Sequence, residues 1–151
     1  MIRVALLFSL VLVTGCSSPR PTPRPDLNGL LRQSVNSRRD PSLGGRWLAS
    51  LGQRNGRERV ELIDLRSRSP VPLPGLNRAD AQPISVSVSA DGQRLAVVQQ
   101  REDRTELVLY RRNIGATQRL LLDPPGVPRS VSLDGSGPVS YTHLTLPTTD
   151  R

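Results

Sequence analysis

A chain of 151 residues with a net charge of +8 has room for one small domain once a leader is discounted. Aromatic residues make up only 3%, so its core has to rest on Leu, Val, Ile and Ala. Every basic residue is Arg, and the arginines interleave with acids and apolar residues. Nucleic-acid binding calls for a concentrated basic stripe with stacking aromatics, and that pattern is absent. The all-Arg usage fits the codon bias of a GC-rich genome, and alternatively attraction to an anionic polymer or headgroup.

The first element is Val4–Val13, an apolar run of about a dozen residues behind Arg3, too short for a bilayer that needs roughly 20. With small residues after it, the run reads as a signal peptide over residues 1–15. The cleavage site Val13-Thr14-Gly15-Cys16 resembles a bacterial lipobox. That resemblance implies acylation of the Cys16 thiol, export and a lipid anchor. Ser17 in place of Asp resembles the signal for delivery to the outer membrane, so the expected location is the cell envelope, facing the periplasm. Cys16 is the only cysteine, so an acylated thiol leaves none for a disulfide, a metal or a nucleophile.

Residues 16–39 read as a tether. Pro19, Pro21, Pro23 and Pro25 favour a semi-rigid polyproline II spacer. Leu27, Leu30, Leu31 and Val35 have the spacing of one face of a short helix.

From residue 40 onward the chain repeats. Ser42-Leu-Gly-Gly45-Arg-Trp-Leu-Ala aligns with Ser89-Ala-Asp91-Gly92-Gln-Arg-Leu-Ala, and Ser132-Leu-Asp134-Gly135 opens a third copy. The spacings are 47 and 43 residues, the length of propeller blades. Each copy starts with a turn in which Gly supplies positive φ and, as at Asp91, a carboxylate accepts backbone N–H groups. Strands follow at Trp47–Leu51, Val60–Leu65 and Val71–Leu73, and again at Arg94–Val98, Glu106–Tyr110 and Arg119–Leu122. Ile84–Val88 alternates apolar and polar, as a half-buried strand should, and leads into the second turn. Val127–Val131 does the same for the third. Pro70, Pro72 and Pro74 put the last strand of the first unit on an edge.

The motif Ser-x-Asp-Gly-x-x-Leu-Ala with strand-turn-strand after it resembles the β-propeller repeats of the TolB-like group. The resemblance covers about Asp40 to Gly135. It implies an all-β fold of propeller-type blades, two and part of a third, over residues 40–82, 83–127 and 128–138. The motif identifies the fold better than the function, since the same blade serves a periplasmic protein of the Tol system and the propeller domains of prolyl oligopeptidase-like enzymes. Gly44 stands where the motif has Asp.

Residues 139–151 (Val-Ser-Tyr-Thr-His-Leu-Thr-Leu-Pro-Thr-Thr-Asp-Arg) resemble a translated sequencing adapter. After Gly135 the repeat demands two variable residues and Leu-Ala, and the chain departs from it. His143, the only histidine, lies in this tail and is given no role.

No catalytic constellation emerges. Asp134-Gly-Ser-Gly137 has the letters of a nucleophile elbow without its strand-to-helix context. Single carboxylates at Asp91 and Asp134 fall short of the 6–8 oxygens that calcium takes, so no metal and no cofactor is expected. Trp47 reads as core, with sugar stacking as the alternative. The sequence thus points to a non-catalytic envelope lipoprotein. Its propeller-type binding or scaffold module would meet an envelope protein or anionic polymer, and its blade edges could also drive self-association. The alternative is the N-terminal propeller part of an exported hydrolase or glycan-active enzyme.

Overall fold

The computed structural model describes residues 38–123, 125–134 and 139–144. The lipobox residues Val13, Thr14, Gly15 and Cys16, the proline-rich spacer, the helix expected over 27–35 and Gly135 lie outside that range. The described residues are all-β, without a helix. A first four-stranded antiparallel sheet runs β1 (Arg38–Gly44), β2 (Trp47–Arg54), β3 (Arg57–Asp64) and β4 (Ser69–Val71) in sequence order. A second repeats it with β5 (Ala81–Val88), β6 (Arg94–Arg101), β7 (Arg104–Arg111) and β8 (Ala116–Leu120). A third unit pairs β9 (Val127–Leu133) with β10 (Val139–Leu144). These are propeller-type blades, two complete and one of two strands.

Local chemistry explains the hairpins. Asn55 and Gly56 both take positive φ, 53° and 75°, the geometry of a primed two-residue turn whose twist matches the strands. That turn lets β2 and β3 pair without slippage from Trp47↔Asp64 to Arg54↔Arg57. Several strands therefore run past their apolar stretch. The polar ends of β2, β3, β6 and β7 stay in the ladder because backbone pairing, not burial, holds them. Pro70 sits in β4, at a sheet edge where its missing N–H costs nothing.

The core lies between the first two sheets. Trp47, Ala49 and Leu51 of β2 and Val60 and Leu62 of β3 meet Val86 and Val88 of β5, Leu95 and Val97 of β6, and Val108 and Tyr110 of β7. The near-continuous apolar run Leu95-Ala-Val-Val98 is explained by burial on both faces. Leu95 and Val97 join that core, while Ala96 and Val98 are fully buried on the opposite side. Closeness at the hairpin ends explains two glycines. A Cβ on Gly44 would lie 2.6 Å from the Ser89 and Val88 carbonyl oxygens, and one on Gly45 2.5 Å from that of Ala90.

Three features differ from the sequence expectation. Arg38 and Arg39 belong to a strand, not to the tether, because they pair with Gly52 and Leu51 of β2 in a backbone ladder that needs no apolar pattern. Ser42 and Ser132 lie in strands, β1 and β9, not in turns. Only Gly45 and Arg46 form the first-unit turn, so the Ser-x-x-Gly alignment has matched a strand segment to the longer loop after β5. Finally, Val139–Leu144, set aside on sequence grounds, pairs with β9. Val139, Tyr141 and Thr142 are residue types that suit a strand whatever their origin.

Candidate functional site

The second-unit turn is built as its motif implies. The Ser89 hydroxyl, fully buried, donates to Asp91 Oδ1, and the same oxygen accepts the Gln93 N–H at 2.9 Å. The Arg94 N–H donates to Ser89 Oγ at 3.0 Å, and Gly92, at φ 66°, closes the turn by donating to the Ser89 carbonyl at 2.9 Å. The Ser89 hydroxyl and the Gln93 N–H hold the Asp91 carboxyl below its ordinary pKa. Gly92 lies flat against Trp47, where a Cβ would come within 2.3 Å of the ring. The Arg112 and Arg46 guanidinium groups stand 4.3 and 4.7 Å from the Trp47 ring centroid. With 6% of its surface exposed, Trp47 is an inter-blade anchor and offers no face to a sugar.

Sequence reasoning missed a set of polar rungs between blades. Asp40 Oδ2 accepts the Val86 N–H at 2.6 Å and Ser42 Oγ accepts that of Val88 at 3.1 Å. One blade on, Ser85 Oγ accepts the Val131 N–H at 3.2 Å and Ser87 Oγ that of Leu133 at 2.9 Å. The Ser42 and Ser87 hydroxyls are themselves 3.2 Å apart. The underlying repeat is Asp40-Pro-Ser-Leu43, Ser85-Val-Ser-Val88 and Ser130-Val-Ser-Leu133, at a constant interval of 45 residues. This constant interval, against the uneven 47 and 43, was the available signal. Ser85 and Ser87 are buried, which corrects the half-buried reading of β5. Asp134 follows the end of β9 directly.

Chemistry that could meet a ligand gathers at the other end of the hairpins. A polar cavity of about 840 Å³ opens between the first two sheets, lined by Arg54, Arg57, Arg59, Arg78, Glu58 and Asp80 among others. Asn77 fixes its far wall. Its side-chain amide donates to the Val60 carbonyl at 2.9 Å and its Oδ1 accepts the Val60 N–H at 2.8 Å. Arg57 donates to the Ala79 carbonyl at 2.7 Å. Two of the three acids on the rim, Glu58 and Asp80, are already engaged, and Glu102 lines the cavity as well. Glu58 pairs with Arg39. Asp80 takes both Arg78 and Arg101 at 2.9 Å, and the Arg78 hydrogen bond leads in lowering its pKa to about 2. Arg54 and Arg59 pair with no carboxylate among the described residues. The hairpins close on directly opposed arginines, Arg54↔Arg57 and Arg101↔Arg104, a like-charge arrangement that an anion relieves. No group of three His, Cys, Asp or Glu able to hold a metal occurs among the described residues.

Comparison with known proteins bears on the architecture. No protein-family profile matches the sequence, and no curated protein does. Among solved structures, the crystal structure of TolB from Acinetobacter baumannii aligns with a TM-score of 0.56 at 18% identity. The fold is TolB-like. The alignment covers 78% of this chain and 28% of that TolB, so the chain spans a little over a quarter of its neighbour's length. At that identity the likeness is one of fold.

Proposed function

We propose that the chain is a lipid-anchored envelope protein whose propeller-type blades form a non-catalytic binding module, and that its partner presents anionic groups to the arginine-lined cavity. The observation that carries this reading is the cavity itself, where Arg54 and Arg57 oppose each other at the hairpin end and Arg54 and Arg59 have no carboxylate partner among the described residues. Planar guanidinium groups at such a site suit carboxylate or phosphate oxygens, which they bind through paired N–H donors. Anchoring through Cys16 and a periplasmic setting at the outer membrane complete the proposal. Both rest on the lipobox resemblance and are consistent with a TolB-like fold.

The test uses inorganic polyphosphate as a probe, titrated onto the full chain at about 50 and 200 mM salt. Binding is expected to weaken with salt, and an Arg54→Ala/Arg59→Ala variant is expected to lose about tenfold or more in affinity at the lower salt. A variant that binds as the parent does removes the cavity from the proposal. The anchor is checked separately: labelled palmitate should enter the parent chain and not Cys16→Ala.

A further inference from the structure

The arginine cavity already holds an anion of its own. Asp80 lies in the loop that leads into β5 and lines the cavity beside Arg78. Its Oδ1 accepts from Arg78 Nε at 2.9 Å and its Oδ2 from Arg78 Nη2 at 3.3 Å, a forked pairing. Oδ2 also stands 2.9 Å from Nε of Arg101, at the end of β6. That contact supplies charge without alignment, since Arg101 Nε is buried and makes no hydrogen bond among the described residues. The carboxylate thus satisfies one guanidinium group and only neutralises the other. The loop around it is tied to both blades. Asn77 holds the Val60 backbone and the Ala79 carbonyl accepts from Arg57 on one side, while Asp80 meets Arg101 on the other.

On the reading that this cavity binds an anion, we propose that Asp80 is an internal competitor for that anion: it withholds Arg78 and Arg101 from the ligand, and binding displaces it. The Asp80 side chain is 40% exposed, and those of Arg78 and Arg101 are 54% and 34% exposed, so the carboxylate has a path to water. Ion pairs this accessible are weak and open readily. An external oxyanion brings oxygens to the same fork on Arg78, and it is free to align with the buried Arg101 Nε, which Asp80 leaves unmatched. Arg54 and Arg59 line the same cavity with no acid to displace, so they are open to the ligand at the outset. Arg78 and Arg101 become available only when Asp80 leaves. The cavity therefore has a ready pair and a masked pair of guanidinium groups. Glu102 supplies the contrast. It lines the same cavity but forms no ion pair among the described residues, so it masks no arginine.

The probe is inorganic polyphosphate, titrated onto the full chain at about 50 mM salt. Asp80→Asn and Asp80→Ala are each expected to bind about tenfold more tightly than the parent, the worth of one net charge-assisted hydrogen bond. Glu102→Gln removes the same charge from the same cavity and should gain no more than about twofold, through screened repulsion alone. Adding Arg78→Ala and Arg101→Ala to Asp80→Asn should abolish the gain. Binding that appears only in the Asp80 variants supports the proposal. Parental affinity in both Asp80 variants, an equal gain in Glu102→Gln, or a gain that survives the loss of Arg78 and Arg101 overturns it. If Arg54→Ala/Arg59→Ala still weakens binding in that case, the cavity keeps its role and only the competitor falls. Absence of binding by the parent and by both Asp80 variants overturns the two together.

Discussion

Gly92 shows how one missing Cβ organises the interface between two blades. Its positive φ is a conformation that costs an L-residue about 1–2 kcal/mol. Its Cα also abuts the Trp47 ring so closely that any side chain would displace a buried indole. Gly92→Ala is therefore expected to destabilise by about 3 kcal/mol, strain and overpacking combined, measured by chemical denaturation. A change below about 1 kcal/mol would mean that the ring moves aside freely. At the preceding residue, the Asp91 carboxylate is held ionised by the Ser89 hydroxyl and the Gln93 N–H. A folded pKa below the unfolded value means that the folded state binds this proton less readily. The stabilisation is present above the unfolded carboxylate pKa of about 3.9 and is lost as pH falls through the lower folded value. Asp91→Asn should flatten this part of the acid-stability profile. Tyr110 acts at the opposite end of the scale. Burial raises its pKa, and its hydroxyl donates to the Pro74 carbonyl at 2.9 Å. Its contribution should be intact below about pH 10, where an unfolded tyrosine ionises, and fall away above that. Tyr110→Phe should remove the alkaline loss.

The strands carry a different lesson, since β5 and β9 each donate backbone N–H groups to side chains of the preceding blade. Ser87→Ala leaves the buried Leu133 N–H without its acceptor, so it is expected to cost about 1–3 kcal/mol. Ser42→Ala does the same to the Val88 N–H. Ser132→Ala, at the open end, should change the stability of the isolated chain by no more than about 0.5 kcal/mol. A denaturation series on the three variants checks this order, and equal costs would show that the rungs are incidental. The same strands mark how far the sequence could be read. Alternation in Val60-Glu-Leu-Ile and the polar turns at Asn55-Gly56 and Glu102-Asp103 reveal the hairpins, because solvent contact on one face leaves a period of two. The strand β1 stays hidden. Arg38-Arg-Asp-Pro-Ser-Leu-Gly44 has no apolar period; it is placed by backbone pairing with β2, and its Asp40 and Ser42 side chains reach the next blade 46 residues away. For the same reason Ser85 and Ser87 pass for a solvated face although they are buried. The arginine cavity was invisible as a site, because its members come from a hairpin of one blade and the loop leading into the next. Only the excess of arginine over acid hinted at it.

At the scale of the whole molecule, the described sheets do not share their neighbours equally. The second sheet is the middle layer. One of its faces packs Leu95, Val97, Val108 and Tyr110 against the first sheet, while Ala96, Val98 and Leu107 are buried on the other. Both β6 and β7 also touch β9. Among the described residues, the first sheet packs only on the second. Exchange of a β6 or β7 amide therefore requires two interfaces to open, whereas a β2 or β3 amide needs one. Sub-global opening of this kind gives graded protection rather than a uniform value. Native-state hydrogen exchange should find the slowest amides at Val97, Val98 and Val108. Those of β2 and β3 should be intermediate, and those of the edge strands β4 and β8 fastest. Trp47→Ala supplies the decisive contrast. Deleting a buried Trp typically costs about 3–5 kcal/mol, and here the ring sits between the first sheet and the Gly92 turn of the second. If the sheets behave as stacked units, the variant should lower protection in β2 and β3 most. It should leave the contact of β6 and β7 with β9 comparatively intact. A uniform drop across all strands would instead show that the described residues open as one cooperative body.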